Sequence, residues 1–258
     1  MTPAKRSIVI LYGIGGLSDV GRHAILAALE KPEVSKITVI TEHPEKLDES
    51  KWESHGEKTN PFNNPEFAAR LAMVKVEESW KKPQENLASH FKGADAIISC
   101  LGHRQPGISN KELLKRGLIA YDGNKQVIQA MQEAKVDRAV VITSMGLKSD
   151  DGAWPHWASK ILKVMFLCCA RKAKKDLEAM ENLYLESSLD YLFVRPVGIS
   201  EEREPTGEYY VQEQGNKKDV VGGDMAKIDA ARFMVDQALN PTFHKTYRTV
   251  GSKPGSPM

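Results

Sequence analysis

Short runs of apolar and β-branched residues recur along the chain at Ser7–Tyr12, Lys36–Thr41, Ala72–Val76, Ala94–Cys100, Arg138–Thr143 and Leu189–Val194. They have strand length and lack strict alternation, as expected for parallel strands covered on both faces. Helical patterns lie between most of them. Val20–Glu30 carries Ile25, Leu26 and Leu29; Gln84–Phe91 follows Pro83, a residue suited to the first helical position; Lys111–Ala134 and Lys174–Glu186 are longer and amphipathic. This alternation predicts an α/β fold, a doubly wound parallel sheet with right-handed crossovers.

Two segments break the rhythm. The connection Glu42–Arg70 is long, polar at Glu49–Lys58 and turn-rich at Asn60–Pro65, and insertions of that kind are usually lids or mobile. After Pro196 the pattern changes to turn signals (Glu204-Pro205-Thr206-Gly207), a hairpin near Tyr209–Val211 and Asp219–Val221, a helix Asp224–Leu239 and a last strand near Thr246–Val250. Residues 197–250 read as a small substrate-side region of one domain spanning 1–250, and 251–258 as a disordered tail.

Composition narrows the classes. A length of 258 residues permits one large domain or two small ones, and one is the starting expectation. A net charge of +2, from 36 basic and 34 acidic residues, disfavours a dedicated nucleic-acid binder. With 41% hydrophobic residues the chain can fill a sizeable core. The odd set Cys100, Cys168 and Cys169 implies no disulfide framework, hence a reducing compartment, with the cytoplasm the expected location. The N-terminal run reads as a strand and lacks the pattern of a signal peptide. The apolar stretch Ile161–Ala170, interrupted by Lys163, is about half of what a bilayer span needs, so no membrane span is expected. Together with the basic residues that follow, it suits either a membrane-surface helix or a buried crossover helix, and the second reading is the plainer one. No metal site is expected.

Strand one runs directly into Gly13-Ile14-Gly15-Gly16-Leu17-Ser18-Asp19-Val20-Gly21-Arg22, and a helix follows. Glycines there let a backbone approach a pyrophosphate while the helix N-terminus offers free N–H groups. The spacing departs from the Rossmann form, since Gly21 comes two residues late, which implies a longer turn; a ligand-free glycine turn is the plain alternative. At the end of strand two stands Glu42, an acid where the adenosine ribose is usually held, pointing to NAD; Arg22 and Lys46 are cations that would favour the 2′-phosphate of NADP, and a solvated Glu42 is the third reading.

Several fragments, in order, resemble the atypical short-chain dehydrogenase/reductases of the NmrA-like and biliverdin-IXβ (flavin) reductase-like branch. They are Gly93-Ala94-Asp95-Ala96-Ile97-Ile98-Ser99-Cys100-Leu101-Gly102, Gly123–Met131, Val136–Ser144, Asp176-Leu177-Glu178-Ala179-Met180-Glu181, and Ser187–Tyr191 continuing to Val194-Arg195-Pro196. The resemblance implies a Rossmann fold and a nicotinamide dinucleotide, NAD(P)H, along the C-terminal strand ends. By matching position, Gly13, Gly15, Gly16 and Gly21 would hold the pyrophosphate, and Leu101 and Gly102 would line the ribose. Thr143 and Ser144 would sit near the nicotinamide, and Arg195, Pro196 and Val197 would close its far edge. Relatives commonly carry Arg where Glu42 stands, which puts the usual NADP preference in question.

Relatives that use an active-site tyrosine and lysine place them at the positions of Ala173 and Leu177, so that pair is missing from its usual place. Ser144, at the end of strand five, is then a candidate to hydrogen-bond a substrate carbonyl, or merely a cap on its loop. His156 and Lys160, four residues apart, are a candidate acid pair, with a plain surface His and Lys as the alternative. His103 would reach the site or lie exposed, and Asp176 and Glu181 read as helix-orienting or ion-pairing residues. Two functions follow. One is an oxidoreductase that passes hydride from NAD(P)H to a small planar or carbonyl acceptor, such as a flavin, quinone or tetrapyrrole. The other is an NmrA-like regulatory protein that senses the dinucleotide without turnover and works through a protein partner.

Overall fold

The computed structural model describes residues 4–13, 19–48, 52, 60–77, 80, 82–102, 119–149, 160–161, 163–164, 171–200, 202–213, 216 and 218–256. Strands β1 (Arg6–Tyr12), β2 (Val34–Thr41), β3 (Leu71–Lys75), β4 (Ala96–Cys100), β5 (Arg138–Ile142), β6 (Asp190–Pro196), β8 (Tyr210–Val211) and β10 (Thr246–Gly251) form one sheet in the order β3-β2-β1-β4-β5-β6-β10-β8. Every pairing in it is parallel except that of β8 with β10. Short strands β7 (Ile199–Ser200) and β9 (Met225–Ala226) pair separately. The apolar runs form the interior strands because both faces are covered. Helices α1 (Val20–Leu29) and α7 (Lys227–Leu239) cover one face, and α4 (Leu87–Phe91), α5 (Ala120–Ala134) and α6 (Arg171–Leu185) the other. Strand order reverses between β1 and β4, where the connections leave in opposite directions and open a crevice at the strands' C-terminal ends.

Four segments bear on these expectations. In the first, the Glu42–Arg70 connection, the described part is packed, while residues 49–51 and 53–59, which hold most of the polar stretch, lie outside the described residues. The described part contains α2 (Pro44–Asp48) and α3 (Pro65–Ala68), and buried Trp52 donates its indole N–H to the Leu47 carbonyl and sets its ring edge-on to Phe62. Arg70 anchors its end by donating to the carbonyls of Ala28, Leu29, Lys31 and Val34, satisfying the C-terminal end of α1. Second, the region Gln84–Phe91 is helical only from Leu87, because Gln84 instead ties Glu77 to Gln126 through its backbone N–H and side chain. Third, Tyr210–Val211 pairs with Val250 and Gly251 of β10 rather than forming a hairpin with residues 219–221, although Tyr210 packs near Val220 and Val221 and the Val221 N–H donates to the Gln212 side chain. Fourth, the chain after Val250 is held: Gly251 ends β10, and Ser252 pairs with Gly222 through two backbone bonds.

The C-terminal region is fastened to the sheet-covering helices. Asp229, buried in the first turn of α7, accepts from the Thr206 N–H and hydroxyl, the Gly207 N–H and the Arg232 guanidinium. Gly198 turns at φ +57, and a Cβ there would lie 1.5 Å from the Gly223 carbonyl oxygen, so the β6–β7 and 222–224 segments approach as only glycine allows.

Candidate dinucleotide site

The C-terminal ends of β1, β4, β5 and β6 bring Gly13, Leu101, Gly102, Thr143, Ser144, Pro196 and Val197 to one edge of the sheet. Gly13 is buried at the end of β1. The next residues with a described placement begin at Asp19, so Gly15 and Gly16 lie outside the described residues. Gly21 sits in the first turn of α1, where a Cβ would come within 2.7 Å of Tyr12 Cδ2 and 3.2 Å of Cys100 Cβ. The absence of a side chain therefore lets the N-terminus of α1 lie directly against β1 and β4. A helix start at the end of β1 is a fit for the phosphates of a dinucleotide. The start of α7 reaches the same end, and Lys227 Nζ lies 3.4 Å from Asp19 Oδ2, linking the two helix starts. Arg22 is half-buried in the first turn of α1.

The end of β2 is acidic. Glu42 is half-buried beside His43, whose Nδ1 lies 3.0 Å from Glu45 Oε1 and whose backbone N–H donates to the Thr41 hydroxyl. A hydrogen bond from its own backbone and then His43 hold the Glu45 carboxyl below the ordinary carboxylate range. The side chain of Lys46, the cation expected to compete with Glu42, lies outside the described residues.

The ends of β4, β5 and β6 carry the residues expected near the nicotinamide. Leu101 is buried and packs toward Gly123 of α5, so its backbone rather than its side chain borders the strand ends. Ser144 is half-buried and donates its hydroxyl to the Met145 carbonyl. Met145 packs with Val197 and Val221 into a small apolar cluster beside it. The Thr143 hydroxyl turns away from the strand ends and donates to Glu181 at 2.9 Å. Arg195 is fully buried: its Nη2 donates to Glu181 Oε1 at 3.0 Å and to Ser149 Oγ at 2.6 Å, and its guanidinium lies 4.0 Å over the Tyr247 ring. Arg195 thus reaches the site through the groups it holds, a correction to its expected place at the nicotinamide's far edge. Lys160 is exposed, while His156 and His103 lie outside the described residues.

Of the three acids of α6, Asp176 and Glu181 have the helix-orienting and ion-pairing roles expected of them, Glu178 carried no expectation, and the partners of all three were not legible in the sequence. Asp176 accepts from the Ala120 and Tyr121 N–H groups, at 3.0 and 3.3 Å, and so caps the start of α5. Glu178 accepts from the Lys148 N–H, and Glu181 gathers Thr143, Ser149 and Arg195. A signal existed: Asp176 and Glu181 occupy the same buried helical stripe as Leu177, Met180 and Tyr184, where an acid needs partners. Beneath them Ser99 and Tyr184 both donate to the Asn124 side-chain oxygen, joining β4, α5 and α6. A surface cavity of about 560 Å³ lined by Trp80, Gln84, Lys125, Gln126 and Glu133 lies along the flank between α4 and α5 rather than over the strand ends, and it has no part in this site.

Among the described residues no group of three or more His, Cys, Asp or Glu could hold a metal ion, and no helix is long and apolar enough to cross a membrane. A glycine-bearing β1–α1 turn at the reversal of a doubly wound parallel sheet defines the dinucleotide-binding α/β class. The chain belongs to the NAD(P)H-binding family, whose model matches residues 15–241, and its cofactor is accordingly a nicotinamide dinucleotide. A curated relative, Protein TIC 62, chloroplastic, of Arabidopsis thaliana, is 24% identical over 181 residues; the match covers 69% of this chain but only 26% of that protein. Solved structures share the fold, among them the following two. A short-chain dehydrogenase/reductase from Veillonella parvula in complex with NADP has 16% identity and a TM-score of 0.63, with 97% of this chain and 99% of that one covered. ChuY of Escherichia coli O157:H7, described as an anaerobillin reductase, has 16% identity and a TM-score of 0.62, with 97% and 98% covered.

Proposed function

We propose that the protein is an NAD(P)H-dependent reductase of the atypical short-chain dehydrogenase/reductase type that acts on a small planar or carbonyl acceptor, such as a flavin, quinone or tetrapyrrole. The observation that carries this reading is the composition of the nicotinamide end. The Ser144 hydroxyl stands beside the apolar cluster of Met145, Val197 and Val221, while Leu177, where a catalytic lysine would otherwise stand, is buried in the core. An apolar cluster beside a hydroxyl suits an electron-poor ring that needs orientation more than acid catalysis. The reductase description of ChuY, a structure of the same fold, agrees with this class of acceptor.

The dinucleotide, when bound, supplies a hydride. The chain's part is to hold the pyrophosphate over the start of α1 with Gly13, Gly15, Gly16 and Gly21, with Arg22 nearby, and to hold the adenosine ribose near Glu42. Leu101, Gly102, Thr143, Pro196 and Val197 border the ribose and nicotinamide. The acceptor would take the hydride, one hydrogen with two electrons, and a second hydrogen as a proton from water, while the Ser144 hydroxyl orients its carbonyl; His156 with Lys160 is the reserve proton source. NADH and NADPH oxidation measured against quinones, flavins and a linear tetrapyrrole tests the reading, and turnover with at least one is expected. Tight dinucleotide binding without turnover, together with a co-purifying protein, would instead establish the NmrA-like sensing role, which the missing Tyr/Lys pair favours. Failure to bind either dinucleotide calorimetrically would refute both.

A further inference from the structure

We propose that Glu178 and Glu181, one turn apart on α6, act with the buried Arg195 as a clamp that positions the turn 143–149, and with it Ser144, at the nicotinamide end of the site; they are positioning residues, and this role rests on the reading of the site given above. The turn follows β5 and has a left-handed Gly146 at φ +81, so its shape is not set by regular hydrogen bonding alone. Both of its ends are held from α6. At the leading end the Thr143 hydroxyl donates to Glu181 Oε1, and at the trailing end the Lys148 N–H donates to Glu178 Oε1 at 2.7 Å and the Ser149 hydroxyl to Glu181 Oε2. Ser144 lies between these holds, and its neighbour Met145 is packed against Val197 and Val221.

Arg195 fixes the position of the Glu181 carboxylate itself. Its Nη2 reaches both Glu181 oxygens, at 3.0 and 3.3 Å, and the Ser149 hydroxyl. Its planar face is pressed on Tyr247 of β10, so the guanidinium has no room to follow a carboxylate that moves. Stability alone does not account for this arrangement. Arg195 is fully buried, and its Nε and Nη1 have no hydrogen-bond partner among the described residues. A buried ion pair with unsatisfied donors is commonly no better than apolar residues of similar volume. What the pair does supply is one geometry for two hydroxyls, through charge-assisted bonds on both carboxylate oxygens.

Hydrogen exchange of segment 143–149, read beside steady-state kinetics with menadione as the probe acceptor and NADH as donor, tests the clamp. Glu181→Gln keeps the shape of the side chain but leaves Arg195 without its counter-charge; should it fail to fold, Glu178→Gln and Ser149→Ala loosen the turn from its less buried side. Amide exchange in 143–149 should rise about tenfold or more while β5 stays protected. The NADH dissociation constant and KM should stay within about threefold, while kcat falls about ten- to hundredfold, the signature of a misplaced group near the reacting atoms. Unchanged exchange in the variants, or looser exchange with an undiminished kcat, would overturn the proposal. If the wild type binds neither NADH nor NADPH and reduces menadione with neither, the reading of the site fails on its own, and exchange of 143–149 in the variants still decides whether the acids hold the turn.

Discussion

Gly21 offers a sharp test of the dinucleotide site because its environment is defined on two strands. A Cβ added there would lie 2.7 Å from Tyr12 Cδ2, 3.2 Å from Cys100 Cβ and 3.4 Å from Tyr12 Cα. Tyr12 and Cys100 are buried on neighbouring strands in direct register, so neither can swing aside and helix α1 must move instead. Overpacking of this kind costs about 1–3 kcal/mol. Alanine recovers about 1 kcal/mol of that through its helix propensity, so Gly21→Ala should lose between about 0 and 2 kcal/mol. Valine recovers less and adds two methyl groups to filled space, so Gly21→Val should lose about 2 kcal/mol and melt about 4–8 °C below the wild type. Displacing the start of α1 also withdraws N–H groups from the phosphates. The NADH dissociation constant of Gly21→Val should therefore rise about tenfold, the loss of roughly one charge-assisted hydrogen bond. Thermal unfolding and calorimetric titration with NADH measure both quantities. A Gly21→Val protein that melts within about 1 °C of the wild type and binds NADH equally well would refute the close approach of α1 and its role under the pyrophosphate.

Replacing Glu42 with Arg should improve NADPH binding relative to NADH by about tenfold in calorimetry, since a guanidinium at the end of β2 would pair with the 2′-phosphate; an unchanged ratio would place Glu42 away from the ribose. Asp176→Ala removes the acceptor for two N–H groups at the start of α5 and should cost about 2–3 kcal/mol in urea unfolding, whereas a loss below about 0.5 kcal/mol would show that the cap is unnecessary. Burial raises the Tyr184 hydroxyl above the ordinary tyrosine value, and burial together with the neighbouring Asp236 carboxylate raises Tyr209. Both groups resist ionisation in the folded state and ionise near pH 10 when unfolded, so stability is full below about pH 10 and declines as pH rises beyond it. The double variant Tyr184→Phe, Tyr209→Phe should show a smaller drop in unfolding free energy between about pH 8 and pH 10.5 than the wild type, and an equal drop would refute that assignment.

The strand-length apolar runs, the interspersed amphipathic segments and the glycines after strand one carried the sheet and its crevice, because periodicity and backbone permissiveness are properties of short stretches. Contacts between residues distant in sequence are what such short stretches do not reveal. Arg70 looks like one more charged residue in a polar connection, yet it satisfies four carbonyls around the end of α1. Tyr210–Val211 has strand chemistry, but its partner turned out to be β10, which follows it by some forty residues, and not the nearer segment. At the site itself, Gly13, Gly21, Gly102 and Ser144 were legible as a glycine turn and strand-end residues. That Thr143 and Arg195 face Glu181 rather than the ligand edge was not.

The sequence by itself determined the α/β alternation and the glycine-bearing β1–α1 turn, since each depends only on residue types at fixed short spacings. Only the tertiary structure decided what the acids of α6 do. Asp176, Glu178 and Glu181 look alike on the page, but a carboxylate's role is set by which donors the fold brings within hydrogen-bond distance. Here those donors come from α5, the turn after β5 and β6, between 14 and 56 residues away in sequence.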